Sequence, residues 1–510
     1  MNYQQAEEEK VIGKYSAIAN NVQAVKALIA AVEGTIGPKG MDCMLVNEEG
    51  NFIITNDGVT ILMEMDVSHP AAIMLINGAY AQQKEIGDGT TTMTILVGQL
   101  LESALYHIQK GVSVHHIIQG IRLGIKDAIQ YIEDRKIAII EENWDMLKSV
   151  IKIAGREDES LIELLFKAAN YIGKERLLEK DLRFSDMIEA VEGLENEVLP
   201  GVIIYRKPTG DKFKSLINEG RIMILDDELQ VEALSSELMG TENGFNQYIE
   251  NREKFDGWIQ KIIDLDISAL FIGRTIDPHA EQQLLDAGIL VVSNILSEQL
   301  NRLSQCVGAK LIKNSVLSKR TGEIEVYCGK AAQIIYDAKL DGIKIIDGAG
   351  SPAATVLVSA ATGVVTKERE RVARDAAASL QAAVKEGVVV GGGASELACA
   401  TLLEKMKNNT DNMTKYGIAC VIDALKKPMY NIIKNAGFNP LEKVENVTSA
   451  IKTTGCHSLG INCDNGEIED LLKKAVLDPA LVKIYALKTS CEIAEAILKI
   501  HLILKGRSYQ

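Results

Sequence analysis

The hydrophobic pattern of this chain changes character twice along its length, and no composition figure restricts its architecture as much. Up to about residue 135 the apolar positions recur at three- and four-residue steps, as from Ala17 to Val32 and from Met93 to His107, which predicts amphipathic helices. From Val202 to Val292 short β-branched runs take over (Val202 to Tyr205, Arg221 to Leu225, Ala269 to Ile272, Ile289 to Val292). They alternate with helical stretches, as in an α/β domain. From about Arg369 to Leu504 long helices return, broken at Gly391-Gly392-Gly393. A chain that leaves one architecture and comes back to it most simply closes both ends into one mainly helical domain around an inserted α/β domain. At about 150 residues per domain, a chain of 510 residues has room for about three.

Smaller signals fill in this frame. Three glycines and a proline in Gly34 to Gly40 end the first helix. Phe52 to Thr55 and Val59 to Leu62 flank Asn56-Asp57-Gly58, which predicts a β-hairpin with a tight turn; Pro70 to Lys84 predicts a helix. Between the second and third strands of the middle segment, Ser235 to Ile263 carries Phe245, Tyr248, Ile249, Phe255, Trp258, Ile259 and Ile262 mostly at helical steps. A helical insertion with a substantial apolar face is expected there.

Hydrophobic residues at 47% and charged residues at 25% exclude a disordered or collagen-like chain. The net charge of −15 leaves no excess of positive charge for counterion-driven binding, so no nucleic acid partner is expected. The longest apolar runs fall short of the roughly 18 to 20 residues that cross a bilayer, so no membrane span is expected either. The acidic start, MNYQQAEEEK, is unlike a secretory signal and implies a cytoplasmic protein. The eight cysteines form no CxxC pair, and the spacing of Cys456, His457 and Cys463 fits no standard metal site.

The strongest chemical signal is Gly87-Asp88-Gly89-Thr90-Thr91-Thr92 at the start of a helix. Backbone N–H groups at a helix N-terminus attract anions, glycines let the chain approach phosphate, and hydroxyls add donors. Asp88 fits beside phosphate if Mg²⁺ lies between them. There is no P-loop lysine motif and no complete dinucleotide fingerprint, so a nucleotide site must be assembled from several loops. Candidates are Thr35 to Gly40, Gly391 to Gly393, and Gly460-Ile461-Asn462 with Asp478 downstream. Asp57 and Asp375 are further carboxylates of interest, one read as a turn residue and the other as a helical one. His115 and His116 read as surface or packing residues.

Taken in order, TIGPKGMD (Thr35 to Asp42), NDGVTIL (Asn56 to Leu62), GDGTTT (Gly87 to Thr92), RDAAASLQAAVKEGVVVGGGASE (Arg374 to Glu396), GIN…GE (Gly460 to Glu467) and VLDP (Val476 to Pro479) resemble the chaperonins over nearly the whole chain. The resemblance implies a multidomain α and α/β chaperonin fold. Its mainly helical equatorial ATP-binding domain would take residues 1–137 and 387–510, and its small intermediate hinge domain 138–198 and 353–386. The α/β apical substrate-binding domain would take 199–352, with a helical protrusion near 235–263. By the same resemblance Thr35, Ile36, Gly37 and Pro38 would line the phosphates and ribose of ATP, Asp88 would hold Mg²⁺, and Gly89, Thr90, Thr91 and Thr92 would contact phosphates. Gly391, Gly392, Asn462 and Asp478 would hold the ribose and adenine end, with Lys483 an additional contact. Asp57 and Asp375 would orient and polarise the attacking water. K⁺ would add countercharge.

The expected activity is an ATP-driven chaperone that encloses unfolded or partly folded polypeptides. Its homo-oligomer would be two stacked rings, eight subunits in each by the resemblance. The insertion at 235–263 resembles the built-in lid of group II chaperonins, so no separate lid protein is expected. Compactness favours the bacterial group II-like set called group III. The stretch from Ile153 to Glu175 lacks the lysine that group II members use near the γ-phosphate, with Arg156 the substitute at hand. That gap leaves a second reading, a nucleotide-binding holdase or scaffold with weak hydrolysis.

Overall fold

A computed structural model gives the protein's structure, describing residues 3–46, 49–50, 52–210, 213–232 and 242–501, with side chains from Ala17 onward except at Gly244. The chain forms two compact units. One is made of residues 1–166, 180–195 and 358–510, the other of 167–179 and 196–357. Both ends of the chain therefore fold into the same unit, around an inserted one.

The first unit is built on long helices: Tyr3–Val32, Pro70–Glu85, Thr90–Gln109, Val114–Arg135, Gly363–Glu386, Ala394–Asn408, Lys415–Asn435, Pro440–Thr454 and Ala480–Leu498. Thr90–Gln109 lies at its centre, with Met93, Val97, Leu100, Leu101, Ala104 and Ile108 fully buried. Val114–Arg135 crosses Lys415–Asn435 at Gly120 and Gly417. A Cβ added to either would stand 2.6 Å from the other's Cα. Glycine inside a helix costs about 0.5–1 kcal/mol relative to alanine, and here it is what lets the two backbones touch.

One expectation is corrected here. Phe52–Thr55 is a strand, but it pairs antiparallel with Cys43–Val46, and Gly58–Glu64 is a helix. Asp57 is not a hairpin turn residue. Its carboxylate accepts from the N–H groups of Val59 (3.3 Å) and Thr60 (3.1 Å) and from the Thr60 hydroxyl (2.6 Å), which caps that helix. A cap satisfies donors that a helix start leaves open, and this outweighs the β-branched composition of Val59 to Leu62.

The second unit holds a six-stranded mixed sheet. In spatial order its strands are Gly201–Ile204, Gly342–Gly348, Gly329–Asp337, Leu216–Leu225, Ala269–Ile272 and Leu290–Val292. The last three are mutually parallel and the other neighbours antiparallel. The side chains obey the strand period of two: Ile222, Ile224, Ala269 and Phe271 enter one core, Met223, Leu225, Leu270 and Ile272 the other. Helix Ser297–Val307 covers the first face. Helices Glu242–Asp264 and Pro278–Asp286 cover the second.

The four expected strands are present, whereas Gly329–Asp337 and Gly342–Gly348 were not anticipated. The expected insertion is a helix over Glu242–Asp264, and its portion at 235–241 lies outside the described residues. Residues 502–504 of the last helical stretch do so too.

Candidate functional site

Separated segments of the helical unit converge on one cavity of about 460 Å³. The first is the loop after helix Tyr3–Val32. Thr35 donates its hydroxyl to the Val32 carbonyl (2.9 Å), and the Asn435 amide donates to the carbonyls of Glu33 and Ile36 (3.0 Å each). This clamp sets Thr35, Ile36, Gly37 and Pro38 along one wall. The second segment carries Asp57 at its helix cap.

The third is Gly87-Asp88-Gly89. Both glycines have φ of +83°, a region that disfavours other residues, and Gly89 is the N-cap of Thr90–Gln109. Thr90, Thr91 and Thr92 are thus the first helical residues, with unsatisfied N–H groups at a helix start bordering the cavity. Asp88 accepts from the Gly89 N–H (2.5 Å) and from the Ser379 hydroxyl, and the Gln82 amide donates to its backbone carbonyl (2.8 Å).

The fourth segment is helix Gly363–Glu386. Asp375 faces the cavity from this helix and accepts from the Gln83 amide (3.1 Å). The fifth joins Gly392 to the strand Leu477–Pro479, which pairs with Val388–Val390 so that Asp478 lies opposite Val389. Lys483 also lines the cavity, although its ammonium is paired with Glu396 and Asp478. Arg156 lines it too, at 3.4 Å from Asp42 and 3.3 Å from Glu368.

Of the residues expected from the sequence, Thr35, Ile36, Gly37, Pro38, Asp57, Asp88, Gly89, Thr90, Thr91, Thr92, Asp375, Gly392, Asp478 and Lys483 share this cavity. Gly391 and Asn462 do not line it. Gly391 sits behind Asp478, and Asn462 bonds Glu469 (3.2 Å) and the Asp464 N–H (2.8 Å) at the turn of its own hairpin. Sequence reasoning missed Ser379, Gln83, Asn435 and Glu396. Ser379 stands one helical turn after Asp375, on the same face, and that spacing was a usable signal. The other three meet partners that lie far away along the chain.

Burial raises the pKa of both Asp88 and Asp375, Asp375 well above the ordinary 3.8. For Asp88 the Ser379 and Gly89 hydrogen bonds oppose the rise, and the charges of Asp478 and Asp57 add to it. Asp57 and Asp88 push Asp375 further up, against Gln83 and Arg156. Carboxylates crowded in this way call for a cation. Among the described residues no group of three or more His, Cys, Asp or Glu could hold a metal alone. A hard divalent ion at Asp88 would therefore draw its remaining oxygens from water and a bound phosphate, the habit of Mg²⁺. Helix N–H groups for an anion, a half-buried carboxylate for the cation and two further carboxylates suit the binding and cleavage of a phosphate anhydride.

Comparison with known proteins identifies the family. Residues 28–508 match the model of the TCP-1/cpn60 chaperonin family. A thermosome subunit of Methanopyrus kandleri is 30% identical over 507 residues, covering 96% of this chain and 91% of its own. A thermosome subunit of Pyrococcus abyssi is 28% identical over 510 residues with the same coverage. The crystal structure of a group III chaperonin in the open state superposes with a TM-score of 0.87 at 36% identity, covering 97% of this chain and all of that one.

Proposed function

The chain belongs to the TCP-1/cpn60 chaperonin family and is an ATP-dependent chaperonin of group II type, and on that premise we propose that the cavity is where it hydrolyses ATP. The observation that supports this most is the convergence of Asp57, Asp88 and Asp375, from three distant segments, beside the start of helix Thr90–Gln109. In this reading the N–H groups and hydroxyls of Thr90, Thr91 and Thr92 bind phosphates, while Thr35 to Pro38 form the facing wall. Asp88 would hold Mg²⁺, which supplies countercharge to the phosphates, and K⁺ would add to it. Ser379 and the Gly89 N–H fix the orientation of Asp88.

Asp57 and Asp375 orient and polarise the attacking water, since phosphoryl transfer asks a protein for positioning and electrostatics more than covalent chemistry. Gln83 holds Asp375 in place. Asp478 would take the sugar end.

The same reading divides the chain into an equatorial domain (1–137, 387–510), a hinge domain (138–198, 353–386) and an apical domain (199–352). Asp375 belongs to the hinge segment, so its movement would link hydrolysis to enclosure of the client. The subunits would form two stacked rings of eight with a built-in lid, working in the cytoplasm. Among the described residues no helix is long and apolar enough to cross a membrane. Clients would be polypeptides with exposed apolar surface, met by the uncovered Phe245, Tyr248 and Ile249.

Single-turnover hydrolysis of radiolabelled ATP by the wild type and Asp375→Ala tests the core of this proposal. Hydrolysis should be lost while nucleotide binding is kept. An unchanged rate would remove Asp375 from the chemistry.

A further inference from the structure

Lys483 is a cation beside a candidate phosphate site, yet its charge is already engaged. It is 7% exposed, with its ammonium 2.6 Å from Oε1 of Glu396, itself 3% exposed, and 2.9 Å from Oδ2 of Asp478. The three residues come from three elements: Asp478 from the strand Leu477–Pro479, Lys483 from the first turn of Ala480–Leu498, and Glu396 from the first turn of Ala394–Asn408. All three line the cavity.

Asp478 is confined from a second side. A Cβ on Gly391 would stand 2.8 Å from its Oδ1 and 3.0 Å from its Oδ2, so the carboxylate lies against bare backbone that only glycine provides. Oε2 of Glu396 is buried without a hydrogen-bond partner. Two carboxylates and one ammonium leave this corner with one formal negative charge and acceptors to spare. Such a corner repels phosphate and favours O–H donors. The part of a nucleotide with O–H donors and no phosphate charge is the sugar.

We propose that Lys483 is a positioning residue that makes the cavity selective for ribonucleotides over nucleotides without sugar hydroxyls. It holds Asp478 by one oxygen so that the remaining acceptors of the carboxylate are fixed for the hydroxyls. Glu396 anchors the lysine from the opposite side and keeps it away from the phosphates. Without the ammonium, the buried Glu396 and the half-buried Asp478 lose their shared counterion and Asp478 is no longer held. This inference rests on the nucleotide reading above.

Calorimetric titration of Mg·ATP and Mg·2′,3′-dideoxy-ATP into the wild type, Lys483→Met and Glu396→Gln tests it. The wild type should prefer ATP by about tenfold to a hundredfold, the worth of one or two hydrogen bonds to a charged acceptor. Lys483→Met should bring the affinity for ATP close to that for the dideoxy analogue, whose own affinity should change little. Glu396→Gln keeps the lysine and should lose part of the preference, which preserves the test if Lys483→Met does not fold. Equal losses for both nucleotides would assign the triad a purely structural role and overturn the inference, as would an unchanged preference in a folded variant. A wild type that binds both nucleotides alike would overturn this inference alone, and one that binds neither would overturn the nucleotide reading as well.

Discussion

The cavity of the helical unit and the outer part of helix Glu242–Asp264 are built on opposite terms. In the cavity, polar groups are partly withdrawn from water and each is held by a named partner: Asp57 by its helix cap, Asp88 by Ser379, Asp375 by Gln83. On the helix, apolar groups are left in water. Phe245, Tyr248 and Ile249 are 60%, 37% and 40% exposed, while Phe255, two turns further on, is 1% exposed and shares a core with Ile259 and Ile262. A site that must recognise one ligand needs convergent polar groups at fixed positions. A surface that must accept many unfolded chains needs only uncovered apolar area, because hydrophobic attraction has no direction.

Substitutions can separate the two regions. The largest effect is expected for Asp375→Ala, which should slow single-turnover hydrolysis by about 10²- to 10⁴-fold, the usual contribution of a group acting on the reacting proton. Capture of an unfolded client by the nucleotide-free protein should be unchanged. Next comes Phe255→Ala, which should destabilise the α/β unit by about 3–5 kcal/mol in denaturant unfolding, as emptied aromatic core sites do. If Phe255→Ala cost no more than Phe245→Ala, the division of the helix into a packed and an open part would fail.

Chelating Mg²⁺ should abolish the stabilisation that ATP gives, about 2.7 kcal/mol at a hundredfold excess over Kd, read as a lost thermal shift. The pair Phe245→Ser and Ile249→Ser should alter stability by no more than about 0.5 kcal/mol each. Together they should weaken client capture by about tenfold, for the loss of one large apolar contact, and leave hydrolysis unchanged.

The smallest effect concerns pH. Burial and neighbouring carboxylates hold the pKa of Asp375 well above 3.8, so the folded state keeps a proton that the unfolded state has released. The group therefore costs stability as pH rises from the ordinary carboxylate value through its raised one. Without nucleotide, Asp375→Asn should melt higher than the wild type at pH 8, by on the order of 2 °C. The gap should close as the pH approaches 4.

The sequence carried the cavity in its local motifs, because phosphate-binding geometry needs glycines and short polar residues that stand together. Gly87 to Thr92 could be read without any partner segment. Asp57 was located but placed in the wrong element, since Asn-Asp-Gly serves a hairpin turn and a helix cap equally well, and only the pairing of Phe52–Thr55 with Cys43–Val46 decides between them. The strands Ala269–Ile272 and Leu290–Val292 were legible as continuous apolar runs because both of their faces are buried. Gly329–Asp337 buries only Gly329, Ala331 and Ile334 and carries Lys330 and Gln333, so no such run marks it. Asn435, Gln83 and Glu396 reach their partners across long stretches of chain, and no local spacing encodes that.

Electron microscopy of the purified protein with and without ATP and Mg²⁺ tests most directly whether this cavity drives enclosure. Double rings that pass from open to closed on addition of Mg·ATP, with no other protein present, are the expected result. Uniformly small particles in both states, or rings whose shape ignores the nucleotide, would contradict it.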